Sequence, residues 1–190
     1  MGRKKKIRNK QYNITINLVD DRKIRLSLNT KYAPQTVEHF VKLIRIGYFN
    51  GTIFHRTIKD FMIQTGGYFL KLEEPNNYLL TELPQVAPIK GEFASNGFEN
   101  TLKHTAGVIS MARTMDPNSA TGQFFICAET CPHLDGQYAA FGEVMDEESL
   151  QVVRDIANGE TYVLSKMFEN FPTNLLSVVS VTIDEELEEK

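Results

Sequence analysis

The chain has 190 residues, 42% of them hydrophobic and 24% charged, with a formal net charge of −3. That suffices for one well-buried core in a single domain and is ordinary for a globular protein. No apolar run approaches the ~20 residues of a membrane span, and Met1-Gly2-Arg3-Lys4-Lys5-Lys6 lacks the apolar stretch of a secretory signal, so the cytoplasm is the expected compartment.

Arg3, Lys4, Lys5, Lys6, Arg8 and Lys10 make residues 1–10 a basic tail, and Asp184, Glu185, Glu186, Glu188 and Glu189 make residues 184–190 an acidic one. Both are read as solvated; a basic arm on nucleic acid or an anionic membrane is the less favoured alternative. Lys6 stands where a myristoylation motif needs Ser or Thr, so that motif fails.

Within residues 11–183, Tyr12, Ile14, Ile16 and Leu18 alternate with polar residues, and after Asp20-Asp21 the alternation resumes at Ile24, Leu26 and Leu28. This predicts a β-hairpin. A helix follows, with Pro34 in its first turn, Val37, Phe40, Val41 and Ile44 on one face and Gly47 as its stop. His39 lies on this helix and is expected to face solvent. Short β-rich runs fill 52–69 and 107–144. Residues 71–90, with Pro75, Pro84 and Pro88, read as a long surface loop.

A second helix is predicted after Asp146, a good N-cap, with Leu150, Val153 and Ile156 on one side and Asn158-Gly159 as its end. Val179, Val181 and Ile183 predict a last strand with those three facing one way. Many short strands with two isolated amphipathic helices favour a closed β-barrel capped by helices, because closure removes exposed edges.

Cys127 and Cys131 match neither a redox Cys-x-x-Cys nor a four-ligand zinc site, so free thiols are the better reading even with His133 nearby. No phosphate loop, paired-carboxylate site or nucleophile triad is legible. What stands out is Arg56, in Phe54-His55-Arg56, followed by Phe61-Met62-Ile63-Gln64 and later Gln123-Phe124-Phe125. Strand parity puts Met62 with Gln64, and Gln123 with Phe125. If those faces adjoin, an apolar pocket with a few polar groups results. On packing grounds alone these aromatics are as readily plain core and Arg56 a surface cation.

These blocks, with Gly107-Val108-Ile109-Ser110-Met111-Ala112, Leu134-Asp135-Gly136 and Phe141-Gly142-Glu143-Val144, resemble the cyclophilin family in order along nearly the whole chain. Ala112-Arg113-Thr114 and the stretch 89–97 look most like single-domain bacterial members.

The resemblance implies a mainly β fold, a closed antiparallel eight-stranded β-barrel capped by two α-helices. It also implies peptidyl-prolyl cis/trans isomerase activity without a metal or cofactor. Arg56 would be catalytic, Phe61, Met62, Phe125 and Leu134 would wall a proline pocket, and Gln64 and Gln123 would bind substrate backbone. Ala112 and Arg113 would line the adjoining groove through their main chain, with His133 and Tyr138 at the pocket edge.

Thr65 departs from the family's usual glycine, His133 from the tryptophan of many eukaryotic members and Tyr138 from their histidine. His55 and His104 are read as structural. The implied partners are proline-containing peptides and unfolded or folding proteins, bound by a monomer; cyclosporin binding is expected to be weak and nucleic-acid binding is not expected. A non-catalytic proline-peptide scaffold or holdase on the same fold is the alternative.

Overall fold

A computed structural model describes residues 7–190; the first part of the basic tail, Arg3 to Lys6, lies outside it. Strands β1 (Lys10–Leu18) and β2 (Lys23–Asn29) pair antiparallel, with Tyr12 opposite Leu28, Ile14 opposite Leu26 and Ile16 opposite Ile24. All six are buried, as the alternation requires. The turn between them places Asp21 at φ 69°, a left-handed conformation that aspartate tolerates.

Helix α1 (Pro34–Arg45) buries Val37, Phe40, Val41 and Ile44. Its N-terminus receives no local side-chain cap; the buried Glu92 carboxylate instead accepts hydrogen bonds from Thr36 N (2.6 Å) and Thr36 Oγ1 (2.8 Å), where the helix dipole favours negative charge. His39 does not face solvent. It is half-buried and its Nε2 meets the Thr121 carbonyl, tying α1 to a distant loop.

Next come β3 (Arg56–Ile58) and β4 (Met62–Thr65), then β5 (Tyr68–Glu74) and β6 (Asn77–Glu82). The last two replace much of the loop expected over 71–90 with a separate two-stranded ribbon. Pro75 and Asn76, at φ 68°, form its tight turn, so the proline that argued against strands only separates them. Thr65 ends β4 with its hydroxyl donating to the Ile53 carbonyl at 2.8 Å, and the left-handed conformation falls on Gly66 at φ 86°. A Cβ on Gly66 would sit 2.6 Å from the Gly122 carbonyl oxygen, so that position needs glycine.

Strands β7 (Val108–Met111), β8 (Phe124–Cys127) and β9 (Ala140–Val144) precede helix α2 (Glu147–Ala157), where the Asp146 carboxylate accepts from Ser149 N at 2.7 Å. Short strands β10 (Thr161–Tyr162) and β11 (Phe171–Pro172) pair with each other before β12 (Val178–Glu188).

The eight-stranded sheet runs β12-β1-β2-β9-β7-β8-β4-β3, every neighbour antiparallel. Its two ends meet. Gly51 N donates to the Val178 carbonyl, Val178 N to that of Thr52 and Phe54 N to that of Leu176, joining the run into β3 with the start of β12 and closing the barrel. Inside, Phe40 packs its ring against Phe49, Phe124 and Phe141 at centroid distances of 4.9, 5.0 and 5.1 Å.

Two features of β12 depart from the sequence reading. Val179 does not share a face with Val181: it is 53% exposed while Val178 is buried, because Asn17 pairs with Ser180 and Leu18 with Val178, leaving Val179 as the extra residue of a bulge. The acidic end also continues the strand as far as Glu188 instead of leaving it as a free tail. Glu186 meets Lys10 and Arg45 at 3.9 and 3.3 Å, and Glu188 meets Arg8 at 3.7 Å, so Arg8 and Lys10 lie against the acidic end of β12.

Candidate active site

The same strands that fill the barrel build the site with their other face. On β4 and β8, Ile63, Phe124 and Ile126 join the interior core, while Met62, Phe125 and Cys127 form a second cluster outside the barrel with Cys131 and Leu134. Period-two alternation is the cause. Register then aligns a row across four strands: Arg56 lies opposite Gln64, Gln64 opposite Phe125, and Phe125 opposite Ser110.

Arg56 Nη1 donates to Gln64 Oε1 at 3.3 Å, and Gln64 Nε2 donates to Gln123 Oε1 at 2.9 Å. A permanent cation therefore stands on a fixed amide chain at the edge of an apolar floor. Partial burial lowers the Arg56 pKa, which for a guanidinium leaves the charge intact. Phe61 follows a turn at Asp60 (φ 58°), and its carbonyl accepts from Ala128 N at 2.8 Å, which fixes it beside Met62. A short 3-10 turn, Pro132–Leu134, brings Leu134 in from the far side.

Together these residues enclose a cavity of about 490 Å³. Arg56, Phe61, Met62, Gln64, Ala112, Arg113, Gln123, Phe125, Leu134 and Tyr138 all line it. His133 does not; it stands on the rim with its ring 5.5 Å from that of Phe61. The Tyr138 ring meets Phe125 edge-on at 5.7 Å and lies 4.6 Å from the Arg113 guanidinium, which also sits over Phe93 and donates to the Gln137 carbonyl from Nε and Nη2. The Arg113 side chain thus braces the loop that presents Tyr138.

Two histidines support the floor. His104 is buried, with Nδ1 3.0 Å from Asp135 Oδ1 and Nε2 2.9 Å from Ser110 Oγ, and its ring lies nearly parallel to Phe125. This has the connectivity of a nucleophile triad that the sequence did not reveal, yet Ser110 is 0% exposed beneath the floor, so no substrate can reach it. Burial lowers the His104 pKa against the opposing pull of Asp135. His55 is buried beside Arg56, edge-on to Tyr68 at 4.8 Å.

Sequence reasoning missed part of the lining. His55, taken as structural, faces the cavity, as do Tyr68 at the base of the ribbon and the run Lys166–Asn170. Only the fold brings that run there. Cys127 and Cys131 are free and buried under the floor, and burial pushes both thiols up. Among the described residues no group of three or more His, Cys, Asp or Glu is arranged to hold a metal ion.

Comparison with known proteins identifies the family and the fold. The family model "Cyclophilin type peptidyl-prolyl cis-trans isomerase/CLD" matches residues 13–182. A peptidyl-prolyl cis-trans isomerase of Acinetobacter baylyi is 38% identical over 165 residues, covering 84% of this chain and 79% of the relative. Peptidyl-prolyl cis-trans isomerase B of Escherichia coli is 38% identical over 162 residues, covering 80% and 88%. A crystal structure of a Cryptosporidium parvum cyclophilin superposes with a TM-score of 0.70 at 22% identity, covering 92% of this chain and 98% of the other, and shares the fold. The chain belongs to the cyclophilin family and is a peptidyl-prolyl cis-trans isomerase.

Proposed function

We propose that Arg56 is the catalytic residue and that the floor of Phe61, Met62, Phe125 and Leu134 holds the substrate proline. The observation that carries this is the cross-strand row: a permanent cation, fixed by Gln64, at the edge of an apolar pocket. Rotation about an X-Pro bond must break amide resonance against a barrier near ~20 kcal/mol. As the bond twists, the proline nitrogen's lone pair localises and becomes an acceptor. Arg56 donates to it more strongly in the twisted state than in either planar state, which is the differential binding that lowers a barrier.

Gln64 and Gln123, linked at 2.9 Å, keep the guanidinium aimed and offer amides to substrate backbone. Burial on the floor immobilises the ring while the acyl side turns. The step needs no proton transfer or covalent intermediate. A non-catalytic scaffold would keep the floor and have no use for the cation; the isomerase activity of the family sets that alternative aside.

The substrates are proline-containing segments of unfolded or folding chains; the Cryptosporidium parvum cyclophilin has itself been crystallised in the presence of the dipeptide Ala-Pro. We place the protein in the cytoplasm as a monomer, a setting that suits two free thiols. No helix of the described residues is long and apolar enough to cross a membrane. Nucleic acid is not a partner in this reading, since charge runs at termini usually stay solvated, and the described cations of the arm, Arg8 and Lys10, face Glu188 and Glu186.

Arg56→Ala tests the mechanism. Catalytic efficiency on a proline tetrapeptide should fall by ~10²-fold or more, about 3 kcal/mol of transition-state stabilisation, with the fold retained by circular dichroism. Wild-type turnover by the variant would refute the role of Arg56.

A further inference from the structure

A single proline ring does not fill a cavity of about 490 Å³. Strand order shows where the extra space lies. Ala112 follows β7, three strands from β3, while at the opposite edge Thr57 N of β3 donates to the Asn170 carbonyl at 3.2 Å. Arg56 therefore stands between two walls, Ala112-Arg113 on one side and the run Lys166–Asn170 on the other.

That second wall is anchored. Leu164 N donates to the Phe168 carbonyl at 2.9 Å and Phe168 N to that of Ser165 at 3.1 Å. The Phe168 ring packs edge-on against Tyr68, His55 and Phe171 at 5.0, 6.2 and 5.9 Å. Held from beneath, the segment turns apolar side chains outward: Met167 is 79% exposed and lines the cavity, with exposed Val163 and Leu164 just before it. Single exposed apolar residues need no explanation, but Met167 on the cavity wall, with two more exposed apolar residues within the four positions before it, marks a contact surface. Lys166 and Glu169 contribute one charge of each sign, so the wall offers little electrostatic preference.

We infer that the Lys166–Asn170 wall is a substrate subsite. It receives the residue flanking the target proline on the side away from Ala112 and Arg113, and it selects an apolar side chain through Met167. An unbranched thioether adapts to aliphatic and aromatic partners alike, which suits an enzyme acting on unfolded chains that share only a proline. The inference rests on the proposed Arg56-centred site, since that site fixes where the proline lies.

The test uses exchange NMR, which needs no coupling protease, on two tetrapeptide series in which Ala, Leu, Asp or Lys is placed just before or just after proline. On one flank only, Leu should exceed Ala in kcat/KM by ~5-fold, about 1 kcal/mol, with Asp and Lys close to Ala. In Met167→Ser the Leu-to-Ala ratio should drop below ~2, because the surface that distinguished them is gone. No Leu preference on either flank, or the same ratio in Met167→Ser, overturns the proposal. If no peptide is turned over, the catalytic reading fails instead, and the subsite is judged by titration: Leu peptides must bind ~5-fold tighter than Ala peptides and shift the amides of 166–170. Equal affinity, or shifts elsewhere only, overturns it.

Discussion

Replacing His55 with phenylalanine should flatten part of the protein's pH-dependent stability. His55 is 5% exposed and its Nδ1 has no hydrogen-bond partner. Burial first, and the neighbouring Arg56 charge second, hold its pKa down from the ordinary 6.5 to about 4, with the Gln123 side chain pulling the other way. Between those values the unfolded chain binds a proton that the folded protein refuses. The stability at stake is therefore fully present above pH ~6.5 and is lost as pH falls towards ~4. Over the whole interval the loss is about 3 kcal/mol, and between pH 7 and pH 5 about 2 kcal/mol. Phenylalanine keeps an edge for Tyr68, 4.8 Å away, and has no proton to take up. Urea unfolding of both proteins at pH 7, 6 and 5, at constant ionic strength, isolates the effect, since His104 and the carboxylates are common to both. Wild type should lose about 2 kcal/mol more than the variant between pH 7 and pH 5. Parallel curves would show that His55 protonates freely in the folded state, and the buried placement would be wrong.

Phe125→Ala should weaken peptide binding and turnover together, by ~10-fold or more in kcat/KM, and lower stability by about 3 kcal/mol, because it removes the centre of the outer apolar cluster and leaves Arg56 in place. Unchanged peptide affinity by titration would take Phe125 out of the pocket. At the rim, His133→Trp should tighten cyclosporin by ~10-fold, about 1.4 kcal/mol, while barely changing turnover of short peptides, since residue 133 flanks Phe61 without lining the cavity. Inhibition constants of the two proteins measured side by side check this; nanomolar inhibition of wild type, or no gain in the variant, would remove residue 133 from control of the rim.

Where burial is one-sided, the sequence was a good guide. β2 and α1 each bury one face and leave the other largely exposed, and β1 alternates apolar with polar side chains even though Asn13 and Thr15 are covered through their bonds to Glu185 and Asp184, so all three periods are clean. The β5–β6 ribbon is mostly exposed on both faces, which erases the period, and Pro75 then reads as a breaker instead of a turn. Val179 was misplaced because a bulge adds one residue without changing residue type, so Val178-Val179-Ser180-Val181 fits either parity until the partner strand fixes the register. In the site, parity could pair Met62 with Gln64 and Gln123 with Phe125, but only the resemblance to the cyclophilin family singled out Arg56, which on packing grounds alone read as readily as a surface cation. The Lys166–Asn170 wall was not legible, having no chemical signature and being held at the cavity by the Thr57–Asn170 backbone bond and the contacts of Phe168 with Tyr68 and His55.

Strand parity also explains how one small sheet carries both a fold and a catalyst. Ile63 and Ile126 face each other across β4 and β8 inside the barrel, and the neighbouring Gln64–Phe125 pair faces outward. Both sets contribute stability, but a change in the inner set is felt only there, whereas a change in the outer set also alters the chemistry of the pocket. Such separation requires that the register never slip, since a shift of one residue would drive Gln64 inward and Ile63 into the pocket. Thr65 guards against this. Its buried hydroxyl bonds the Ile53 carbonyl, and Gly66 turns the chain directly after it, so β4 is fixed at the end nearest the Arg56–Gln64 pair. The threonine at this position thus serves the alignment of the row Arg56, Gln64, Phe125 and Ser110.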